Sequence, residues 1–174
     1  LGSKEESFTR WTTSAGVNVL QENARTISAG PAVSFIEADV TDETQVSAAL
    51  DRIERMFGSP LNAVVNCAGI AVARKTLSKK GPHSLEEFTR TLTVNTVGTF
   101  NVNRLAAERM SQRTPDENGL RGCLVNTASV AAYEGQIGQV AYATSKAAVV
   151  GMTLPMARDL ATVGIRVMTI VSWK

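Results

Sequence analysis

The chain has 174 residues, 44% of them apolar, with 18 basic and 16 acidic side chains and a net charge of +2. Such a composition is globular rather than disordered and is enough for one domain with a core, while so small a charge gives no reason to expect nucleic acid or an anionic membrane as partner. No apolar run reaches the ~18 residues of a membrane-spanning helix, so no membrane contact is expected.

Residues 1–12 (LGSKEESFTRWT) are polar and aperiodic. Val17–Ile27 reads as a helix closed by Gly30-Pro31, and Val33–Ile36 as a short strand leading into Glu37-Ala38-Asp39-Val40. Thr41 or Asp42 can cap a helix through Met56, with Val46, Leu50, Ile53 and Phe57 at helical spacing, before Gly58-Ser59-Pro60 breaks it. Leu61–Asn66 is a continuous apolar strand of the kind a parallel sheet covers on both faces. Ala73–Ser84 reads as a polar loop, and Ser84 with Glu86 and Glu87 opens a long helix running towards Met110. After a second loop, Ser111–Leu120, the strand Gly122–Asn126, the helix Tyr142–Thr162 and the strand Arg166–Val171 complete the chain. Strands alternating with helices predict an α/β architecture.

The chemistry concentrates in Tyr142-Ala143-Thr144-Ser145-Lys146. A tyrosine and a lysine four residues apart share one helix face. A phenol of pKa near ~10 exchanges protons poorly at neutral pH unless a fixed cation stabilises its phenolate. Ser129, at the end of the preceding strand, can hold a substrate oxygen beside that phenol. Together they read as machinery for interconverting an alcohol and a carbonyl. Cys67 and Cys123 lack metal or redox spacing and read as reduced thiols. His83, the sole histidine, sits beside Pro82 in a loop, and no metal site is expected.

With Ser129, Tyr142, Lys146 and the turn Asn66-Cys67-Ala68-Gly69, the chain resembles the short-chain dehydrogenase/reductase family. Further stretches, Asn66–Val72 (NCAGIAV), Gly98–Val102 (GTFNV), Asn126–Ala132 (NTASVAA), Gly135–Gln139 (GQIGQ) and Gly151–Leu160 (GMTLPMARDL), resemble one subfamily of it, the mitochondrial type-2 3-hydroxyacyl-CoA dehydrogenases, also described as 17β-hydroxysteroid dehydrogenases. The likeness runs over roughly residues 13 to 170. It implies a Rossmann-like, doubly wound parallel sheet, NAD as cofactor, an acyl-CoA or steroid-like substrate, a homotetramer and a mitochondrial setting.

The resemblance also assigns roles. Tyr142 becomes the general acid/base, Ser129 orients the substrate carbonyl, and Lys146 lowers the tyrosine pKa and hydrogen-bonds the nicotinamide ribose. Asn95, polar within an apolar helical run, becomes a helix-distorting residue that holds a water for proton relay; a buried asparagine satisfied by backbone is the plainer alternative. Asp39 and Val40 would bind the adenine, or simply end a strand. Asn66, Cys67, Ala68, Gly69 and Thr127 would flank the cofactor, with Asn66 also bracing neighbouring strands and Cys67 acting as a small apolar wall. Gln136 would lie near the substrate, or be an ordinary polar loop residue. Arg74, Lys75, Lys79 and Lys80 make their loop basic, either simply solvated or in contact with coenzyme A phosphates. Ala147, Ala148 and Gly151 would allow close helix approach in a dimer face, or plain sheet packing.

The family pattern is incomplete here. No glycine-rich turn follows a strand near the start, and a loose alignment places Arg10 where an acidic residue would bind the ribose and where an arginine would favour NADP. The segment that covers substrate after the last strand is not seen after Ser172-Trp173-Lys174. The expectation is one partial dinucleotide-binding domain over residues 1–174, with residues 1–12 foreign to the family. In the family's strand order, loss of the first two strands leaves the third and fourth about 14 Å apart, so either something closes that gap or the third strand detaches or pairs elsewhere. Two other readings stand beside the dehydrogenase. One is an inactive fragment; the other is a scaffold subunit in mitochondrial transfer-RNA processing, a role the subfamily includes.

Overall fold

A computed structural model describes residues 35–172. The readings placed on residues 1–12, on Val17–Ile27, on Gly30-Pro31 and on Val33 and Ser34 lie outside those residues.

Phe35 and Ile36 belong to no strand, which corrects the expected strand Val33–Ile36 in its described half. The pleat survives without the ladder: Ile36, Ala38 and Val40 are buried in the core, while Glu37 and Asp39 between them are exposed. Alternate burial is enough to seat the segment, whereas strand pairing also needs a neighbouring backbone. Asp42 then caps α1 (Glu43–Phe57), its carboxylate accepting from the backbone N–H groups of Thr44 and Gln45. Those bonds, led by one from the Gln45 side chain, hold the Asp42 carboxyl below its ordinary pKa. Gly58, at φ 57°, ends the helix.

β1 (Ala63–Asn66), β4 (Gly122–Ser129) and β5 (Ile165–Ser172) form a parallel sheet in the order β1-β4-β5. Val64 pairs with Leu124, and Leu124 with Val167, so the three share one face. That face packs against Val46, Leu50 and Ile53 of α1, Val102, Leu105 and Met110 of α3 (Thr99–Ser111), and Met156 of α4 (Val140–Ala161). These neighbouring strands take the positions expected of the family's central strands. β4 runs three residues past its expected end and so carries Ser129 to the strand terminus.

One loop and one helix differ from expectation. The polar stretch after β1 holds a small hairpin, β2 (Leu77–Ser78) with β3 (Gly81–Pro82). The long helix expected from Ser84 towards Met110 is interrupted: α2 (Leu85–Leu92) gives way to a π-helical turn, Thr93–Gly98, before α3. Such widened turns accommodate one extra residue and recur at functional sites. Among the described residues no helix is long and apolar enough to cross a membrane.

The turn from α4 into β5 depends on Gly164, which sits at φ 70° with its α-carbon against the Gly119 carbonyl. Gly164→Ala would place a methyl on that oxygen in a strained backbone region. It should lower stability by about 2 kcal/mol or more, read as a lower urea midpoint at unchanged slope; an unchanged midpoint would contradict this account of the turn.

Candidate active site

β1 and β4 run side by side in one direction, so their C-terminal ends open into a shared crevice, the usual ligand position in an open parallel sheet. Three buried asparagines tie these ends together. Asn66 Nδ2 donates to Asn103 Oδ1 (2.7 Å) and Asn126 Oδ1 (3.0 Å), and Asn103 Nδ2 donates to the same Asn126 oxygen (2.9 Å). The bracing role expected of Asn66 is therefore present.

Beyond Asn66 the chain turns, and Asn95 holds that turn. Its Oδ1 accepts from the Ile70 N–H (2.8 Å), while its Nδ2 donates to the Ile70 carbonyl (2.9 Å) and to Ser145 Oγ (2.9 Å). Asn95 is fully buried, and the Gly69 α-carbon passes so close that an added Cβ would lie 3.2 Å from Asn95 Oδ1 and 3.7 Å from Lys146 Nζ. Both ends of the Asn95 amide are thus engaged by protein. Its side chain anchors the turn, as the plainer reading of a buried asparagine satisfied by backbone has it.

On α4, Lys146 Nζ lies 5.8 Å from the centroid of the Tyr142 ring and donates to the Thr127 carbonyl (2.7 Å). Burial pushes the Lys146 pKa below its ordinary value, and Coulombic attraction to Cys67 opposes that fall. Ser129 accepts from the Ala131 N–H (3.2 Å), which fixes the turn at the end of β4. A cleft of about 560 Å³ gathers Ser129, Tyr142, Lys146, Thr127, Cys67 and Gln136. A second, of about 800 Å³, lies between the Asp39 segment and α2. Ile70 borders both.

Four expected site residues are placed differently from the rest. Asn66 and Ala68 line neither cleft: Asn66 is spent on the asparagine cluster and Ala68 packs on the core. The pleat explains it, because Val64, Asn66 and Ala68 share the core phase while Cys67 and Gly69 take the other. Val40 is buried, with its side chain against Gly98, so of the adenine pair only Asp39 faces its cleft. Asp39 Oδ1 also accepts from the backbone and hydroxyl of Thr41. The fourth is Asn95, which stands behind the catalytic cleft rather than in it. Outside both clefts, His83 Nδ1 contacts the Ser84 carbonyl (2.8 Å), and Arg74 is paired with Glu87 (2.7 Å) rather than free.

Ile70 and Ser145 were not singled out by sequence reasoning. Ile70 acts through its backbone, which carries no residue signal. Ser145 lies between the tyrosine and the lysine, where its burial could have been read from helical spacing.

A nicotinamide dinucleotide fits this arrangement at its two ends. Gly69, which adds no side chain, and Lys146 line the first cleft, and Asp39 presents a carboxylate to the second. No described residues form a glycine-rich turn after a strand for the pyrophosphate between them.

The family model described as short chain dehydrogenase matches residues 7–172. The 3-hydroxyacyl-CoA dehydrogenase type-2 of Homo sapiens is 59% identical over 138 residues, covering 78% of this chain and 52% of that protein. The protein of the same name from Bos taurus is 57% identical over 143 residues, covering 81% of this chain and 54% of its own. The chain therefore spans about half the length of these curated relatives. The crystal structure of 3-hydroxyacyl-CoA dehydrogenase type-2 from Mycobacterium avium superposes with a TM-score of 0.76 at 35% identity, over 94% of this chain and 73% of that one.

Burial of Lys146 makes a prediction about stability. A lysine whose folded pKa is depressed binds its proton less tightly folded than unfolded, so stability rises with pH between the depressed value and the ordinary 10.5. Lys146→Met should fold and flatten that alkaline rise in melting temperature. A rise identical to that of the wild-type protein would contradict the placement of Lys146.

Proposed function

We propose, from the premise that this chain belongs to the short chain dehydrogenase family, that the protein containing it interconverts a secondary alcohol and a ketone with a nicotinamide cofactor. We take the cofactor to be NAD and the substrate to be a 3-hydroxyacyl-CoA thioester, with hydroxysteroids as further substrates. The single observation that carries the reaction is the meeting of Tyr142, Lys146 and Ser129 in one cleft, supplied by two different elements at the ends of parallel strands.

In the oxidative direction the cofactor, when bound, supplies the hydride acceptor. The Tyr142 phenolate accepts the substrate hydroxyl proton, and in reduction the phenol returns it. The Lys146 ammonium stands 5.8 Å from the ring centroid, a positive charge beside the group that exchanges the proton. Ser129, at the end of β4, donates to the substrate oxygen and holds it beside Tyr142. Gln136 lines the same cleft from the loop before α4, which supports a contact with substrate. Asp39, across Ile70, faces the cavity that suits the adenosine end.

The acyl-CoA substrate rests on the relatives named for that reaction, at 57% and 59% identity. NAD, the homotetramer and the mitochondrial setting rest on the subfamily resemblance of the motifs.

The test is reduction of acetoacetyl-CoA by NADH, followed at the nicotinamide absorbance in the full-length protein. Tyr142→Phe should lower kcat by at least about 100-fold while leaving NADH binding, read by fluorescence titration, within twofold. Turnover that survives the loss of the phenol would exclude Tyr142 as the acid/base. Absence of turnover in the wild-type protein would overturn the dehydrogenase reading itself.

A further inference from the structure

Ser145 is fully buried in the first turns of α4, between the tyrosine and the lysine, and it lines neither of the two clefts. Its hydroxyl nevertheless both donates and accepts a hydrogen bond. It donates to the Tyr142 carbonyl (2.7 Å) and accepts from Asn95 Nδ2 (2.9 Å). Its own carbonyl accepts from Thr96 Oγ1 (3.2 Å). Two successive residues of the π-helical turn, Asn95 and Thr96, therefore grip one residue of α4. In a regular helix adjacent residues point about 100° apart and do not face one target. The widened turn brings both side chains onto Ser145.

Nor do the connections stop at Ser145. Asn95 spends the rest of its amide on both backbone groups of Ile70, the residue that borders the two clefts. A continuous buried chain of hydrogen bonds thus runs from the Ile70 backbone through Asn95 and Ser145 to the Tyr142 carbonyl. In a low-dielectric interior such bonds are strong and directional, and one missing member leaves its neighbours unsatisfied.

We infer that Ser145 is a positioning residue: it fixes the turn of α4 that carries Tyr142 and Lys146 against the turn after β1. The inference rests on the dehydrogenase reading above. Ser145 touches no reacting atom. It sets where the phenol stands relative to Gly69, Ile70 and the floor of the cleft, so its loss should weaken turnover more than cofactor affinity.

The experiment uses the full-length protein and two independent readouts. The first is steady-state reduction of acetoacetyl-CoA by NADH. The second is amide hydrogen exchange without cofactor, followed by mass spectrometry over residues 69–71 and 142–146. Ser145→Ala should lower kcat by about tenfold, the rate equivalent of one net hydrogen bond, with KM for NADH within twofold. It should also speed exchange in both segments. Thr153→Val serves as the structural control, since it removes a hydroxyl that joins α4 to β5 through Thr169 well away from the cleft. That variant should lower the melting temperature without changing kcat or the exchange of residues 69–71. If Ser145→Ala does not fold, Thr96→Val, which removes only the bond to the Ser145 carbonyl, should give a smaller fall in kcat and faster exchange at 142–146. An active wild-type protein in which these substitutions change neither kcat nor exchange would overturn the positioning role alone. A wild-type protein without turnover would overturn the dehydrogenase reading and this inference with it.

Discussion

The amide of Asn95 is the interaction on which the site depends. One fully buried side chain satisfies both backbone groups of Ile70 and reaches Ser145, and so ties the turn after β1 to α4. A buried amide left without partners costs of order 1–3 kcal/mol, so its three partner groups are held in register with it. The π-helical turn that presents Asn95 is stabilised locally, as Thr99 Oγ1 donates back to the Asn95 carbonyl (2.7 Å). Everything catalytic hangs from this junction: Gly69 passes over it, and Lys146 and Tyr142 stand on the helix it grips.

Beneath it, the sheet does the coarser positioning. Parallel register brings Asn66 of β1 opposite Asn126 of β4, and the shared oxygen of Asn126 closes the cluster with Asn103 of α3. One and three residues further on, Thr127 and Ser129 line the crevice, and the Thr127 carbonyl receives the Lys146 ammonium. A strand, a turn and a helix thus converge on a small volume, each oriented by buried polar bonds rather than by apolar packing alone. Apolar contact lacks direction; a hydroxyl or amide with its partners made has one. This division of labour, with the core on one face of the sheet and hydrogen bonds at its ends, gives Tyr142, Lys146 and Ser129 defined places around the crevice.

Much of this was legible in the chain. Ser129, Tyr142 and Lys146 are separated as a strand end and a helix face require, and the cleft brings them together. The architecture followed from alternating apolar strands and capped helices, and the central strands are adjacent as expected. What stayed hidden has particular causes. The position of Val40 and Ala68 against the core follows from the two-residue pleat, which a reading by motif overrides. The hairpin at Leu77–Pro82 has two-residue strands, too short for any alternation to appear. A π-turn differs from an α-turn by one residue in a run of apolar and small polar side chains, so nothing in residues 93–98 announces it. The bonds to Ile70 are made to backbone, which every residue carries alike.

In the proposed alcohol–carbonyl interconversion the cofactor's hydrogen moves directly to the substrate carbon within this cleft. The most direct measurement is reduction of acetoacetyl-CoA by the full-length protein with NADH deuterated at the transferring face of the nicotinamide C4, with the product examined by mass spectrometry. One deuterium at the carbinol carbon of 3-hydroxybutyryl-CoA is the predicted result. Product formed without deuterium at that carbon, or no product at all, would contradict it.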